Sequence, residues 1–494
     1  MSTRKLVVWI TFLAIFAMSA RVSVDHDTWW HLRAGEWMME HRALLQTDPF
    51  SYTRSGENWR YPGWLVEAPM YLIYRYLGPG GLNLWTAVMV TLAFCFVWAT
   101  LSGGAFLKAF VIVLAAAASG VYWAARPYLV TFVLAAIFLW ILENYRWRRS
   151  PVSEKRLWLL PALMIVWANS HGGFAVGFIL LGVYWFAELV RWISQRFSQK
   201  PQMPGNDPRL SVRNPLLHLT LIGLLLAIAV CINPSGPVML VYPFKTVSVG
   251  ALQDYIQEWQ SPNFHLVSMQ PFIWLLLATF AAVGISRKRL ALTDFLLVGG
   301  FTYMSLLAGR NMALFALVAP PVLARHAAPI AESVGRRLGY RGLAASRLRR
   351  GQAVLNIILL CLLACSALIK AGMAFPLAAN EEVFQETFPV QAVNFVKTTQ
   401  PPGRLFNSYN WGAYLLWHLP EYPVFVDGRT DLYTDEVLDE WLQVVRGESG
   451  WQDVLTRWDV HLILLEPNMP VVSQLENWGW EQIYSDEKAV VYTH

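Results

Sequence analysis

Eleven apolar stretches constrain this chain more than any other feature. They run over residues 5–23, 80–101, 106–125, 127–143, 157–170, 173–190, 216–232, 271–286, 291–308, 311–325 and 353–376. About 20 apolar residues span a bilayer as a helix, and in lipid only helices or closed barrels satisfy their own backbone polar groups. The expected fold class is therefore a polytopic α-helical membrane protein with about eleven transmembrane helices, followed by a C-terminal soluble α/β domain. Composition agrees. Only 15% of the 494 residues are charged, against about 25% in an average soluble domain. The stretch 157–170 is short, and is read as tilted or merged with its neighbour. Residues 64–77 are too few and too charged to span, and are read as an amphipathic helix lying at the interface. The first stretch follows Arg4 and Lys5 and lacks a small-residue cleavage site, so it is read as a retained helix rather than a signal peptide.

The formal charge of +6 does not point to nucleic acid, because the basic residues sit in short loops between apolar stretches. With the N-terminus cytoplasmic, the inner loops carry 23 of the 39 basic residues, and the outer segments before the tail carry nine. Positive charge stays inside at every turn. The expected location is the cytoplasmic (inner) membrane, multi-pass, with the tail extracytoplasmic. Cys95, Cys231, Cys361 and Cys365 all fall in apolar stretches and are read as packing residues, not as disulfides or metal ligands.

The transmembrane domain is expected to cover 1–379, including a first outer loop at 25–79, and the α/β domain 380–494. In the tail, strand-like runs lie at Arg404–Asn407, Val424–Val426, Leu462–Leu465 and Ala489–Tyr492. Helix-like stretches lie at 389–398, 411–418, 435–446 and 450–458. Outer segment 233–270 is read as lying along the membrane surface, inner loop 326–351 as a basic linker, and the turn Asp427–Asp431 as mainly structural.

The chemistry concentrates in the first loop, DHDTWWHLRAGEW…TDPFSYT…W…WLVE, where Asp25 to Glu67 holds seven acids, three histidines and five tryptophans. Asp25 and Asp27 are two residues apart, so an extended backbone points both carboxylates one way. One can take a proton from an attacking hydroxyl while the other orients the acceptor. The residues identify no certain cofactor; a divalent cation such as Mg2+ or Mn2+ is the candidate, and Asp25 and Asp27 are the residues that would hold it. Three tight outer hairpins present polar groups to the same face: Arg126, His171 beside Asn169, and Arg310 with Asn311. Ionisable groups at a membrane edge are functional candidates, and an arginine fork matches phosphate geometry. Trp29 and Trp30 are candidates for sugar contact, or interfacial anchors. His31 shares a helical face with Asp27. Asp48, before Pro49, is a turn residue within reach of substrate. Glu67 would be costly to bury unpaired. Asp294 is read as a helix-start residue.

These strings, with RPYLVTF (126–132), WANSHGG (167–173), INPSG (232–236), YPF (242–244), EWQSP (258–262), GRN (309–311), NSYNWGAYL and VFVDGRTDLY, resemble a bacterial branch of the GT-C superfamily. That superfamily includes protein O-mannosyltransferases, lipid A aminoarabinose transferases and oligosaccharyltransferases. The resemblance implies a polyprenyl-phosphate-linked sugar donor and inverting transfer at the outer face to a glycan, lipid or protein acceptor. It also implies a catalytic acid in loop one, with Asp25 or Asp27 resembling the family's loop-one aspartate. The tail lacks the WWD acceptor motif of oligosaccharyltransferases. The competing expectation is a transporter or flippase of a lipid-linked sugar, although no internal repeat supports it.

Overall fold

The computed structural model describes residues 1–148, 150–197, 214–247, 250, 256–338 and 350–494. Parts of segment 233–270, of the linker after Arg325 and of the basic stretch before Arg213 lie outside the described residues.

Each of the eleven apolar stretches forms helix, but they differ in reach. Among the described residues, seven helices are long and apolar enough to cross a membrane: Trp64–Thr100, Ala105–Tyr122, Tyr128–Arg148, Gly172–Phe197, Val267–Ile285, Gly309–Arg337 and Arg350–Met373. Pro215–Val230 and Leu292–Leu307 are shorter apolar helices. The first helix, α1 (Thr3–Ser19), has 17 residues, and the 157–170 stretch yields only a ten-residue helix at Leu159–Ala168. At 1.5 Å per residue, these four are shorter than the roughly 30 Å hydrocarbon layer.

The 64–77 segment forms a helix of its own, ended by the non-helical Gly78. After α2 (Thr28–His41), it opens α3 (Trp64–Thr100), which continues into the next apolar stretch through one break. Gly78 has φ 63° and ψ −164° there, and Pro79 follows. Only glycine adopts that conformation without strain, and proline removes the next backbone donor. The first half of α3 packs on α2, with Gly35 pressed against the Glu67 backbone so closely that a Cβ has no room. Two further helices carry the site, α4 (Ala105–Ser119) and α5 (Tyr128–Arg148), joined by the tight turn that holds Arg126.

At the other end of the bundle, Asp294 does more than start its helix. Its carboxylate receives Arg146 at 2.5 Å and Arg325 at 2.6 Å, and Arg325 also pairs with Glu143 at 2.5 Å. Tyr184 donates to Glu143 at 2.6 Å, and both guanidinium groups lie over Trp147. This closed network links four helices.

In the tail, β1 (Arg404–Asn407), β2 (Val460–Leu465), β3 (Glu481–Ser485) and β4 (Val490–Thr493) form a sheet in the order β1-β2-β4-β3. The pair β1–β2 is parallel and the other two pairs are antiparallel. Strand β3 has no counterpart among the expected runs. Conversely, Val424–Val426 is fully buried but is not a strand. Its backbone is satisfied elsewhere: Asn407 Oδ1 accepts from Phe425 N, Asn407 Nδ2 donates to the Val426 carbonyl, and loop one pairs with Val424 through Phe50 and Tyr52. Thr53 adds a hydroxyl donation to the Phe425 carbonyl. The tail and loop one therefore share one core, which includes Trp29, Trp30, Phe50 and Trp59.

Candidate functional site

Asp27 occupies the N-cap position of α2, yet its side chain makes no cap hydrogen bond. Aspartate there normally accepts from the first-turn amides, a contribution of about 1 kcal/mol. Here Asp25 Oδ1 accepts from the Asp27 backbone N–H at 2.8 Å, which fixes the turn and frees the Asp27 carboxylate to point at Arg126. Arg126 Nη2 meets Asp27 Oδ2 at 2.5 Å, and Nη1 reaches Asp25 Oδ2 at 3.3 Å and Glu258 Oε2 at 3.1 Å. Glu258 turns its other oxygen to Arg310 at 3.2 Å, and Arg310 lies over the Trp259 ring, 4.3 Å from its centroid. Loop one, two hairpins and an outer segment thus converge on a chain of alternating charge.

The electrostatics follow from this packing. Burial pushes the Asp27 carboxyl up to about 7 against the pull of Arg126, and Asp25, Glu258 and Asp427 add to the rise. Burial opposes the charge on Arg126, but Asp25, Asp27 and Glu258 outweigh it and hold the guanidinium firmly protonated. Glu258 is held below its ordinary value because Arg126 and Arg310 overcome the effect of burial. His171 joins the cluster electrostatically: burial, then Arg310 and Arg126, push it down to about 3. Its Nδ1 accepts from the Gly173 amide at 3.0 Å and lies 2.9 Å from Thr131 Oγ1. The neutral ring therefore carries its proton on Nε2.

Beside this chain is a cavity of about 480 Å3, lined by Arg21, Ser23, Asp25, Tyr122, Arg126, Tyr128, Glu258 and Arg310, with Val383 and Thr387 closing it from the tail side. Asp27 sits on the far side of Arg126 against Gly428 of the tail, where a Cβ would collide with its carboxylate. Asp25 therefore faces the cavity and Asp27 faces the tail.

The other candidates occupy different surroundings. His31 Nδ1 and Glu67 Oε1 share a buried hydrogen bond of 2.8 Å, so Glu67 has the partner that its burial demands. Burial, with Arg126 and His171, holds His31 well below its usual value. Trp30 lies against His31 with its Nε1 unpartnered beside Gly428. Trp29 is buried among Tyr74, Phe384, Phe388, Tyr414 and His418, in the joint between loop one and the tail. Asp48 is sealed: it accepts from the Phe50 and Ser51 amides and pairs with Arg429 at 2.6 Å. Arg429 is fully buried and also held by Asp427. Asn311 spends its amide on the Met304 carbonyl, and Asn169 bonds Ile165, Ile232 and Trp64. The geometry thus gathers Asp25, Asp27, Arg126, His171 and Arg310 in one cluster and His31 and Glu67 behind it. Trp29 lies in the aromatic joint with the tail, Asp48 pairs with Arg429, and Asn311 bonds the Met304 carbonyl. Glu258, Arg21 and Tyr128 belong to the cluster or cavity and were not singled out from sequence; for Glu258 the signal was an acid in the outer EWQSP string.

Asp25 and Asp27 are committed to Arg126, and among the described residues no group of three or more His, Cys, Asp or Glu side chains is placed to hold a metal.

No family model and no curated protein matches the sequence. Solved structures do. The archaeal oligosaccharyltransferase AglB from Archaeoglobus fulgidus, in complex with an inhibitory peptide and a dolichol-phosphate, superposes with a TM-score of 0.58 at 10% identity, over 95% of this chain and 70% of its own. The chain has a GT-C fold. The Archaeoglobus fulgidus oligosaccharyltransferase in its apo form gives 0.51 at 12% identity over 98% and 74% of the two chains. The form tethered to an acceptor peptide with an NVT sequon gives 0.52 at the same identity and coverage. Since the GT-C superposition takes in nearly the whole chain, the tail belongs to the shared architecture along with the helices.

Proposed function

We propose that this GT-C protein is a membrane glycosyltransferase that moves a sugar from a polyprenyl-phosphate carrier to an acceptor hydroxyl, inverting the anomeric centre, with Asp27 as general base. The observation that carries the reading is the Asp27 carboxylate, withheld from its helix cap and aimed at Arg126 beside the cavity. The AglB structure, which holds a dolichol-phosphate and a peptide, supports a lipid-phosphate donor and a separate acceptor. The basic inner loops support a site on the extracytoplasmic face.

The acceptor approaches from the tail side of Arg126, where Asp27 and Gly428 meet. Asp27 accepts the hydroxyl proton as the acceptor oxygen bonds to the anomeric carbon. The bond between that carbon and the phosphate oxygen breaks, and the electron pair leaves on the carrier phosphate in the cavity. A phosphate leaves without a general acid, so one base suffices. Arg126 keeps Asp25 and Asp27 aligned through the step, and Arg310 with neutral His171 offers donors at the cavity side. No step requires a metal.

The test is transfer from a synthetic polyprenyl-phosphate sugar to acceptors in a membrane extract. Asp27→Asn should lower the rate by about 10²–10⁴-fold, the usual worth of a positioned base, while the protein remains folded in the membrane. Full activity in both Asp27→Asn and Asp25→Asn would remove the base from this account.

A further inference from the structure

Charge counting within the cluster raises a question that the transfer scheme leaves open. Arg126 and Arg310 bring two positive charges, and Asp25, Asp27 and Glu258 face them with three carboxylates. An entering phosphate diester therefore meets no surplus positive charge from these two arginines, and burial makes any uncompensated anion costly.

The cavity holds one more guanidinium. Arg21, exposed just beyond α1, lines it, and among the described residues no carboxylate pairs with Arg21; its one side-chain hydrogen bond there is an Nη2 donation to the Gly120 carbonyl at 2.6 Å. That bond joins two chain segments and leaves the remaining N–H donors of the fork for a ligand. A second group points to the same occupant. Tyr128 lines the cavity, and its hydroxyl is buried without a hydrogen-bond partner. A buried unpaired hydroxyl costs about 1–3 kcal/mol, and an anion in the cavity would relieve that cost.

We propose that Arg21 and the Tyr128 hydroxyl are the principal ligands of the donor's phosphate, and that Arg126 chiefly organises carboxylates. The proposal rests on the glycosyltransferase reading and deepens it by separating the residue that binds the phosphate from the residue that aligns the base. An allylic phosphate monoester, a free phosphate and a lipid headgroup share this anion chemistry, so the experiment separates them.

The measurement is the Kd of farnesyl phosphate for the purified full-length protein in detergent, with inorganic phosphate and phosphatidylglycerol as competitors. Arg21→Gln should weaken binding about tenfold or more and Tyr128→Phe about threefold, with Arg21→Lys recovering much of the loss; these ranges follow from charge-assisted and neutral hydrogen bonds. Recovery by lysine, which keeps the charge and a donor for Gly120, separates lost binding from misfolding. Neither competitor should displace farnesyl phosphate at equal concentration. Unchanged affinity in both Arg21→Gln and Tyr128→Phe overturns the assignment, as does equal displacement by inorganic phosphate or by phosphatidylglycerol. Those results leave the transferase reading standing on the Asp27→Asn assay, which uses neither residue.

Discussion

Asp27 joins three observations at one atom group: a forgone helix cap, an ion pair with Arg126 and a carboxyl raised to about 7 by burial. A base must be ionised, so kcat/KM should rise with pH and level off near 7; a profile flat from pH 5 to 8 would contradict this. The same shift bears on stability. Because the folded value lies above the ordinary 3.8, folding favours the protonated form, so stability is greatest below 3.8, declines as pH rises through the folded value, and levels off above it. Asp27→Asn removes that penalty. It should unfold at a higher temperature than wild type at pH 8 and at the same temperature near pH 3.5, as read by thermal unfolding in detergent. Asp25, Asp27, Arg126 and Arg310 were legible in the sequence because charge beside apolar stretches is rare and therefore conspicuous. Glu258 was not, since the segment around it has no periodicity to aim a side chain. Trp29 and Asp48 show the converse. Both sit in a polar loop whose burial is set by the tail that closes over it, which the loop's own pattern does not encode.

At the level of elements, apolar runs marked every membrane helix but did not set their lengths. The break at Gly78, where the backbone is non-helical, falls where the 64–77 helix was expected to end. Strand β3 escaped because an edge strand with mostly exposed side chains carries little apolar signal, whereas Val424–Val426 carries the signal without the ladder. The network of Glu143, Arg146, Asp294 and Arg325 was visible only as separate topology charges. It is a structural lock, and truncating one partner leaves buried charge uncompensated, at a cost of about 3–5 kcal/mol. Asp294→Ala should therefore lower the thermal unfolding midpoint clearly, while kcat below that midpoint stays within a few-fold of wild type. A midpoint equal to wild type would show the network to be dispensable.

Over the whole molecule, the site depends on the tail holding loop one. Phe50–Thr53 is bonded to Val424–Phe425, Asp48 to Arg429, and Gly428 packs on Asp27. The position is therefore sensitive to a single methyl: Gly428→Ala should displace the Asp27 carboxylate and lower kcat tenfold or more while leaving farnesyl phosphate affinity unchanged, because the cavity lies across Arg126. Equal loss of both would place the anion site on the tail side instead. The central claim is that the carboxylate–arginine cluster serves a lipid-linked phosphate donor. It is tested most directly by mass spectrometry of the lipids that co-purify with wild type and with an Arg126→Ala/Arg310→Ala variant, in which Asp25, Asp27 and Glu258 lose their counter-charges and repel an anion from the cavity even with Arg21 and Tyr128 in place. The account predicts a polyprenyl phosphate or its sugar conjugate enriched on wild type and lost from the variant; bulk phospholipid alone on both, or equal polyprenyl phosphate on both, would contradict it.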